Sequence, residues 1–124
     1  MITGIGLDIV EMERIRRLDG RSGRFRERIL TKPELDRYHS LNEERRTEFL
    51  AGRFSAKEAF AKAAGTGIGA RCAFTDISVL PDAAGRPVLH FKGEPADGFV
   101  SITHTKAYAA AQVILCSPPP VLSE

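Results

Sequence analysis

Residues 52–69 read GRFSAKEAFAKAAGTGIG, an alanine-rich run that carries Arg53, Lys57, Glu58 and Lys62 and ends in three spaced glycines. Stepping 100° per residue and extending back from this run puts Leu50, Phe54 and Ala61 on one helix face and Phe49, Ala56, Phe60 and Ala63 on another. Two apolar faces imply a helix covered on both sides, running from about Glu43 to Ala64 and stopped at Gly65. Ala51, Ser55, Glu58 and Lys62 form a polar stripe beside the first face, and Arg53 and Lys57 lie on the opposite edge. Charges on a helix clamped this way are costly unless they are paired or bound to something.

Upstream, TKPE at 31–34 is a capping box with Pro33 in the first turn, and Leu30 with Leu35 fits a hydrophobic staple, so a further helix starts there. The stretches VEMERIRRL, broken at Gly20, and RFRERIL read as two shorter helices. At the N-terminus, ITGIGLDI alternates with period two: Ile5, Leu7 and Ile9 are expected to face the core, while Gly4, Gly6 and Asp8 form a bare face ending in a carboxylate. Downstream of the glycines the period becomes strand-like. FTDISVL and PVLHF flank the turn PDAAGR, and FVSITHT and YAAAQVILC flank a second short turn. The fold class is therefore α+β: an N-terminal strand, a helical middle and antiparallel hairpins.

A chain of 124 residues with 43% hydrophobic and 27% charged side chains suits one soluble domain, expected over 1–116, with a disordered tail over 117–124. No long apolar run suggests a membrane span, and the aspartate in MITGIGLDIVEMERI argues against a signal peptide, so a cytoplasmic protein is expected. Cys72 and Cys116 form no metal or redox motif and are expected to be reduced. The net charge is only +2, yet residues 11–28 hold seven arginines against Glu11, Glu13, Asp19 and Glu27. Such a patch suits an acidic partner surface, or is an ordinary solvated face.

Glu58 and Lys62 can be read as a simple i, i+4 helix pair. Alternatively, Asp8 and Glu58 with Lys62 offer hard oxygen ligands for Mg²⁺ and a cation for phosphate. Asp8 could also cap the helix after it, with DIVE as the capping box. Glycines 65, 67 and 69 follow a helix and do not lead into one, so they lack the polarity of a phosphate-binding loop. They read first as a helix stop and turn. His104, between hydroxyl residues in SITHT, is either a structural histidine or a catalytic base.

Four phrases, GIGLDIVEMERI, FLAGRFSAKEAFAKAAGTGIG, FTDISVLPDAAGRPVL and SITHTKAYAAAQV, resemble in order and spacing the holo-acyl-carrier-protein synthases, the short class of 4′-phosphopantetheinyl transferases. The likeness runs from Met1 to about Val113. It implies transfer of 4′-phosphopantetheine from coenzyme A to a serine of apo acyl carrier protein, releasing adenosine 3′,5′-bisphosphate in support of fatty acid biosynthesis. It further implies that Asp8 and Glu58 hold Mg²⁺ on the pyrophosphate and that Lys62 lies by the phosphates. Where the longer class carries a second acid this chain has Val10, so a water is expected to complete the metal shell. The resemblance also implies a homotrimer with sites between subunits, and carrier docking on Arg14, Arg21, Arg24 and Phe25. Glu58, directly or through a metal-bound water, is the expected base for the serine proton. Arg45, Arg46 and Arg53 are candidates for the coenzyme A 3′-phosphate, with Gly65, Pro87, His104 and Thr105 as nearby contacts. Rival readings are a docking module without chemistry and a nucleic-acid binder. The second is disfavoured because the basic run has one aromatic, Phe25, and no stacking platform is visible elsewhere.

Overall fold

Two glycines key the layers together. In the computed structural model, which describes residues 1–117, strand β1 (Gly4–Glu11) lies under helix α4 (Glu43–Ala64). A Cβ on Gly6 would overlap the carbonyl oxygen of Ala59, and one on Gly4 the carbonyl oxygen of Ala63. The helix backbone thus rests directly on the strand, which only glycine permits. This reverses the expected orientation of β1. Its glycine face is inside, whereas Ile5, Leu7 and Ile9 face outward with 59%, 62% and 65% exposure.

β1 pairs antiparallel with β6 (Tyr108–Leu115), and β6 with β5 (Gly98–His104), giving the order β1-β6-β5. A second sheet has the order β2-β3-β4, from Ile77–Pro81, Pro87–Phe91 and Glu94–Pro95. The strand expected from Phe74 begins only at Ile77. Phe74–Asp76 is a 3₁₀ turn, tied by the Asp76 carboxylate accepting from the Ala73 amide at 3.0 Å.

Between β1 and α4 come α1 (Met12–Arg21), α2 (Arg24–Ile29) and α3 (Lys32–His39). α1 runs through Gly20. Asp8 does not cap it, because pairing with β6 keeps the chain extended through Glu11, which takes the N-cap position without a side-chain bond. The capping box at Thr31–Glu34 is present, and α4 starts at an Asn42 cap and ends where Gly65 turns left-handed at φ 82°.

α4 is the wall between two apolar clusters. On one side Phe60 stacks on Phe91 at 5.6 Å, among Val79, Leu89, Val113 and Leu115. On the other, Leu50 meets Ile15, Ile29, Leu30 and Tyr38. Burial on nearly all sides fits the two apolar faces read from the sequence. It also takes in Lys57, which is fully buried. Its Nζ donates to Glu34 Oε1 at 2.5 Å and to the Ile29 carbonyl at 2.6 Å. The same carboxylate accepts from the amides of Thr31 and Val79, both at 2.8 Å. The Val79 carbonyl on the free edge of β2 accepts from Arg53 Nη2 at 3.3 Å. Cys72 and Cys116 are free thiols, as expected. Residues 118–124 of the expected tail lie outside the described residues. Ser117, its first residue, donates to Asp97 at 3.1 Å.

Candidate active site

Asp8 is the first side chain on the inner face of β1 after the two glycines, so it emerges at the margin of α4. There the helix presents Glu58 and Lys62, one turn apart. Lys62 Nζ donates to Asp8 Oδ1 at 3.2 Å and to the Leu7 carbonyl at 3.0 Å. The lysine therefore reaches across to the strand, and the ion pair is with Asp8 instead of the local pair with Glu58. Burial, and next the negative charge of Asp8, push the Glu58 carboxyl above its ordinary range, against the pull of Lys62 and Arg14. Two carboxylates share one field with incomplete compensation.

That donor set fits a hard divalent cation such as Mg²⁺: oxygen ligands, no thiolate, and unrelieved negative charge. Among the described residues no group of three or more His, Cys, Asp or Glu side chains is placed to hold a metal. Asp8 and Glu58 would thus be the chain's own ligands for such an ion.

The basic face adjoins this margin. The Arg14 guanidinium lies 5.9 Å from the Phe54 ring centre, and Phe54 packs between Phe25 at 6.0 Å and Phe74 at 5.4 Å. Arg14 and Arg21, seven residues apart on α1, share a helix face, and both are exposed, as is Arg24. Phe25 is half-buried against Phe54. An arginine surface with an aromatic floor thus runs up to Glu58. At the end of α4, Gly65, Thr66, Gly67, Gly69, Ala70 and Arg71 border an open cavity of about 420 Å³. Gly65 serves as the helix stop, its amide donating to the Lys62 carbonyl at 3.0 Å.

A different cleft, of about 200 Å³, brings together Arg45, Arg53, His104, Arg37 and Glu48. Burial lowers the Arg53 pKa below its usual value. Its guanidinium stacks 4.3 Å from the centre of the Phe49 ring, and its Nε is buried without a partner. His104 Nδ1 stands 3.8 Å from Glu48 Oε2. Thr105 sits just beyond, closing the β5–β6 turn by accepting from the amides of Ala107 and Tyr108. Arg46 is elsewhere: it donates to the carbonyls of Tyr38 at 3.2 Å and His39 at 2.9 Å. Pro87 opens β3 and lines neither cleft.

The structure therefore separates the expected site residues into two groups. Asp8, Glu58 and Lys62 share one margin, and Arg45, Arg53 and His104 share another cleft. The pairing of Lys57 with Glu34 escaped the sequence reading, which marked Lys57 as a charge in need of a partner and took Glu34 only as part of a capping box. The available signal was the lysine on an edge of a helix covered on both sides.

Residues 4–116 match the family model of the 4′-phosphopantetheinyl transferase superfamily. The chain is 58% identical over 116 residues to the holo-[acyl-carrier-protein] synthase of Bacillus subtilis (strain 168), covering 93% of this chain and 96% of that one. Its fold matches the crystal structure of a holo-(acyl-carrier-protein) synthase from Bacillus anthracis in complex with CoA (3′,5′-ADP). There the TM-score is 0.82 and the identity 47%, over 93% of this chain and 96% of that one. A Helicobacter pylori holo-[acyl-carrier-protein] synthase in complex with coenzyme A matches with a TM-score of 0.78 at 28% identity, over 90% of this chain and 99% of that one.

Proposed function

The chain belongs to the 4′-phosphopantetheinyl transferase superfamily, and from that premise we propose that the margin formed by Asp8, Glu58 and Lys62 is where it carries out its reaction. That reaction is transfer of 4′-phosphopantetheine from coenzyme A to apo acyl carrier protein, which supplies holo carrier protein for fatty acid biosynthesis. The carrier serine oxygen bonds to the phosphorus that bears pantetheine. The bond from that phosphorus to the bridging oxygen breaks, and adenosine 3′,5′-bisphosphate leaves with its electron pair.

Asp8 and Glu58 would hold Mg²⁺, which when bound offsets the charge of the pyrophosphate and of the leaving group. Glu58, beside Asp8 and one turn from Lys62, would take the serine proton, and Lys62, already turned toward Asp8, can neutralise the departing phosphate. The observation that carries this reading is the reach of Lys62 from α4 to Asp8 of β1, with Glu58 one turn away beside the Arg14–Phe54 edge of the basic face. Arg14, Arg21, Arg24 and Phe25 would receive an acidic carrier there.

Arg45, Arg53 and His104 would hold the 3′-phosphate end of coenzyme A, next to Thr105. They line a cleft apart from the metal-binding margin, so two copies of the chain would complete one site. The outer face of the sheet supports such an assembly, as a trimer. Ile5, Ile114 and Phe99 stand in one row across the three strands, beside Leu7 and Ile9, and Phe99 is 62% exposed. No helix among the described residues is long and apolar enough to cross a membrane, and we place the reaction in the cytoplasm, with the transferase domain over residues 1–116.

Intact mass of apo carrier protein, incubated with the chain, coenzyme A and Mg²⁺, tests the reading. One added phosphopantetheinyl group is expected, and it should be lost with EDTA and in the Asp8→Ala and Glu58→Ala variants. Transfer that survives EDTA would remove the metal from the scheme, and near-normal turnover by Glu58→Gln would remove Glu58 as base.

A further inference from the structure

Helices α1 and α2, which carry the basic face, are poorly equipped to hold their own orientation. They span 10 and 6 residues, α1 contains Gly20, and only Ser22 and Gly23 separate them. Isolated helices of this length are marginal. Behind the C-terminal end of α1 lies an open cavity of about 530 Å³, bordered by Arg16, Asp19, Arg26, Tyr38, Glu44 and Arg46. Close apolar packing therefore does not fix this end of α1. The cavity is not a ready anion site, since Arg16, Arg26 and Arg46 already have protein partners.

What does fix it is polar. Asp19 lies one turn beyond buried Ile15, on the inner side of α1 and away from the Arg14–Arg21 face. Its carboxylate accepts from Arg26 Nε of α2 at 2.7 Å and from the hydroxyl of Tyr38 of α3. Arg26 Nη2 also donates to the Asp19 carbonyl at 3.3 Å. Two guanidiniums lie over the Tyr38 ring, Arg26 at 4.9 Å and Arg46 of α4 at 5.2 Å from its centre. One carboxylate thus joins both arginine-bearing helices to the helical body. The side chains of Asp19 and Arg26 are only 12% and 24% exposed, so the pair is less screened than a surface ion pair.

We propose that Asp19, Arg26 and Tyr38 form a lock that presents the basic face of α1 and α2 to the carrier protein. Asp19 and Tyr38 are then positioning residues for carrier recognition, with no part in the chemistry. The lock rests on the carrier-docking role assigned above to Arg14, Arg21 and Arg24. An apolar inner face would bind α1 to the body without setting its rotation. A carboxylate gripped by a guanidinium and a phenol fixes direction as well as distance.

Steady-state kinetics of Tyr38→Phe and Asp19→Asn, run well below each variant's Tm, test this against a purely structural role. The expected result is a KM for apo carrier protein raised about tenfold, the scale of a lost charge-assisted hydrogen bond, with kcat and the KM for coenzyme A unchanged. Arg14→Ala and Arg21→Ala serve as controls for the docking face. If these two leave the carrier KM unaltered, the docking role itself fails. If they raise it while both lock variants lower only Tm, the lock is overturned and the cluster is structural. A parallel rise in both KM values would also overturn it, because it would mean general distortion.

Discussion

Two lysine–carboxylate pairs sit little more than a turn apart on α4, with opposite fates. Lys57 and Glu34 are wholly buried at 2.5 Å, and the carboxylate also receives two backbone amides. Lys62 and Asp8 meet at 3.2 Å, with the lysine side chain half exposed and a third charge, Glu58, beside them. Desolvation lowers the Lys57 pKa, and Glu34 works against that loss. The same chemical pair is closed where the protein satisfies it and open where it does not. Closure makes it part of the scaffold. Openness leaves charge uncompensated, which in the proposed reaction phosphate and Mg²⁺ would complete.

The closed pair is the harder one to disturb without unfolding. Lys57→Met, which strands the Glu34 carboxylate in the interior, is expected to cost about 3–5 kcal/mol in urea unfolding. Adding Glu34→Gln should return part of that loss. If Lys57→Met unfolds like the wild type, the two pairs do not differ in the way the geometry says.

At the open pair the effects should reverse. Lys62→Met is expected to lower transfer about 10²–10³-fold, the scale of losing a preorganised stabiliser of developing charge. Its unfolding free energy should change by less than about 1 kcal/mol, as for an exposed ion pair. The intact-mass assay and urea denaturation, run on one preparation, read both quantities.

The open pair can also be disturbed without touching its charges. Gly6→Ala places a Cβ against the Ala59 carbonyl and should lift α4 from β1. A cost of about 1–3 kcal/mol is expected from overpacking, with slower transfer because Glu58 and Lys62 move away from Asp8. Unchanged turnover would mean that the β1–α4 spacing does not set the site.

The smallest effect tests a polar contact away from both pairs. Burial, then the hydrogen bond to Asp19, push the Tyr38 phenol up to about 12. A phenol raised above its unfolded value of about 10 contributes stability that is complete below about pH 10 and is lost as pH rises toward 12. The Tm difference between wild type and Tyr38→Phe should therefore hold steady up to about pH 10 and narrow from there toward pH 12. A difference that stays flat through that range would show that the Tyr38 bond is not made.

Much of this arrangement was legible in the sequence because local rules governed it. The Thr31–Glu34 box, the start near Glu43 and the Gly65 stop bound α3 and α4, and each depends on a few adjacent residues. The orientation of β1 was not legible. Alternation shows that a strand has two faces, and a row of isoleucines ordinarily marks the inner one. Here a helix backbone occupies the inner face and requires the absence of side chains there. Asp8, Glu58 and Lys62 were found through their residue types and the family resemblance. The link from Lys57 to Glu34 spans 23 positions and leaves no periodic trace.

The free edge of β2 has a consequence for how the chain is made. The amide of Val79 is taken by Glu34 and its carbonyl by Arg53, so the strand offers a neighbouring molecule no pair of open backbone groups at that position. Both closing residues precede β2 in the chain. During synthesis from the N-terminus, the groups that blunt this adhesive edge have already been built when the strand itself emerges, so the edge can close as soon as α3 and α4 dock on it.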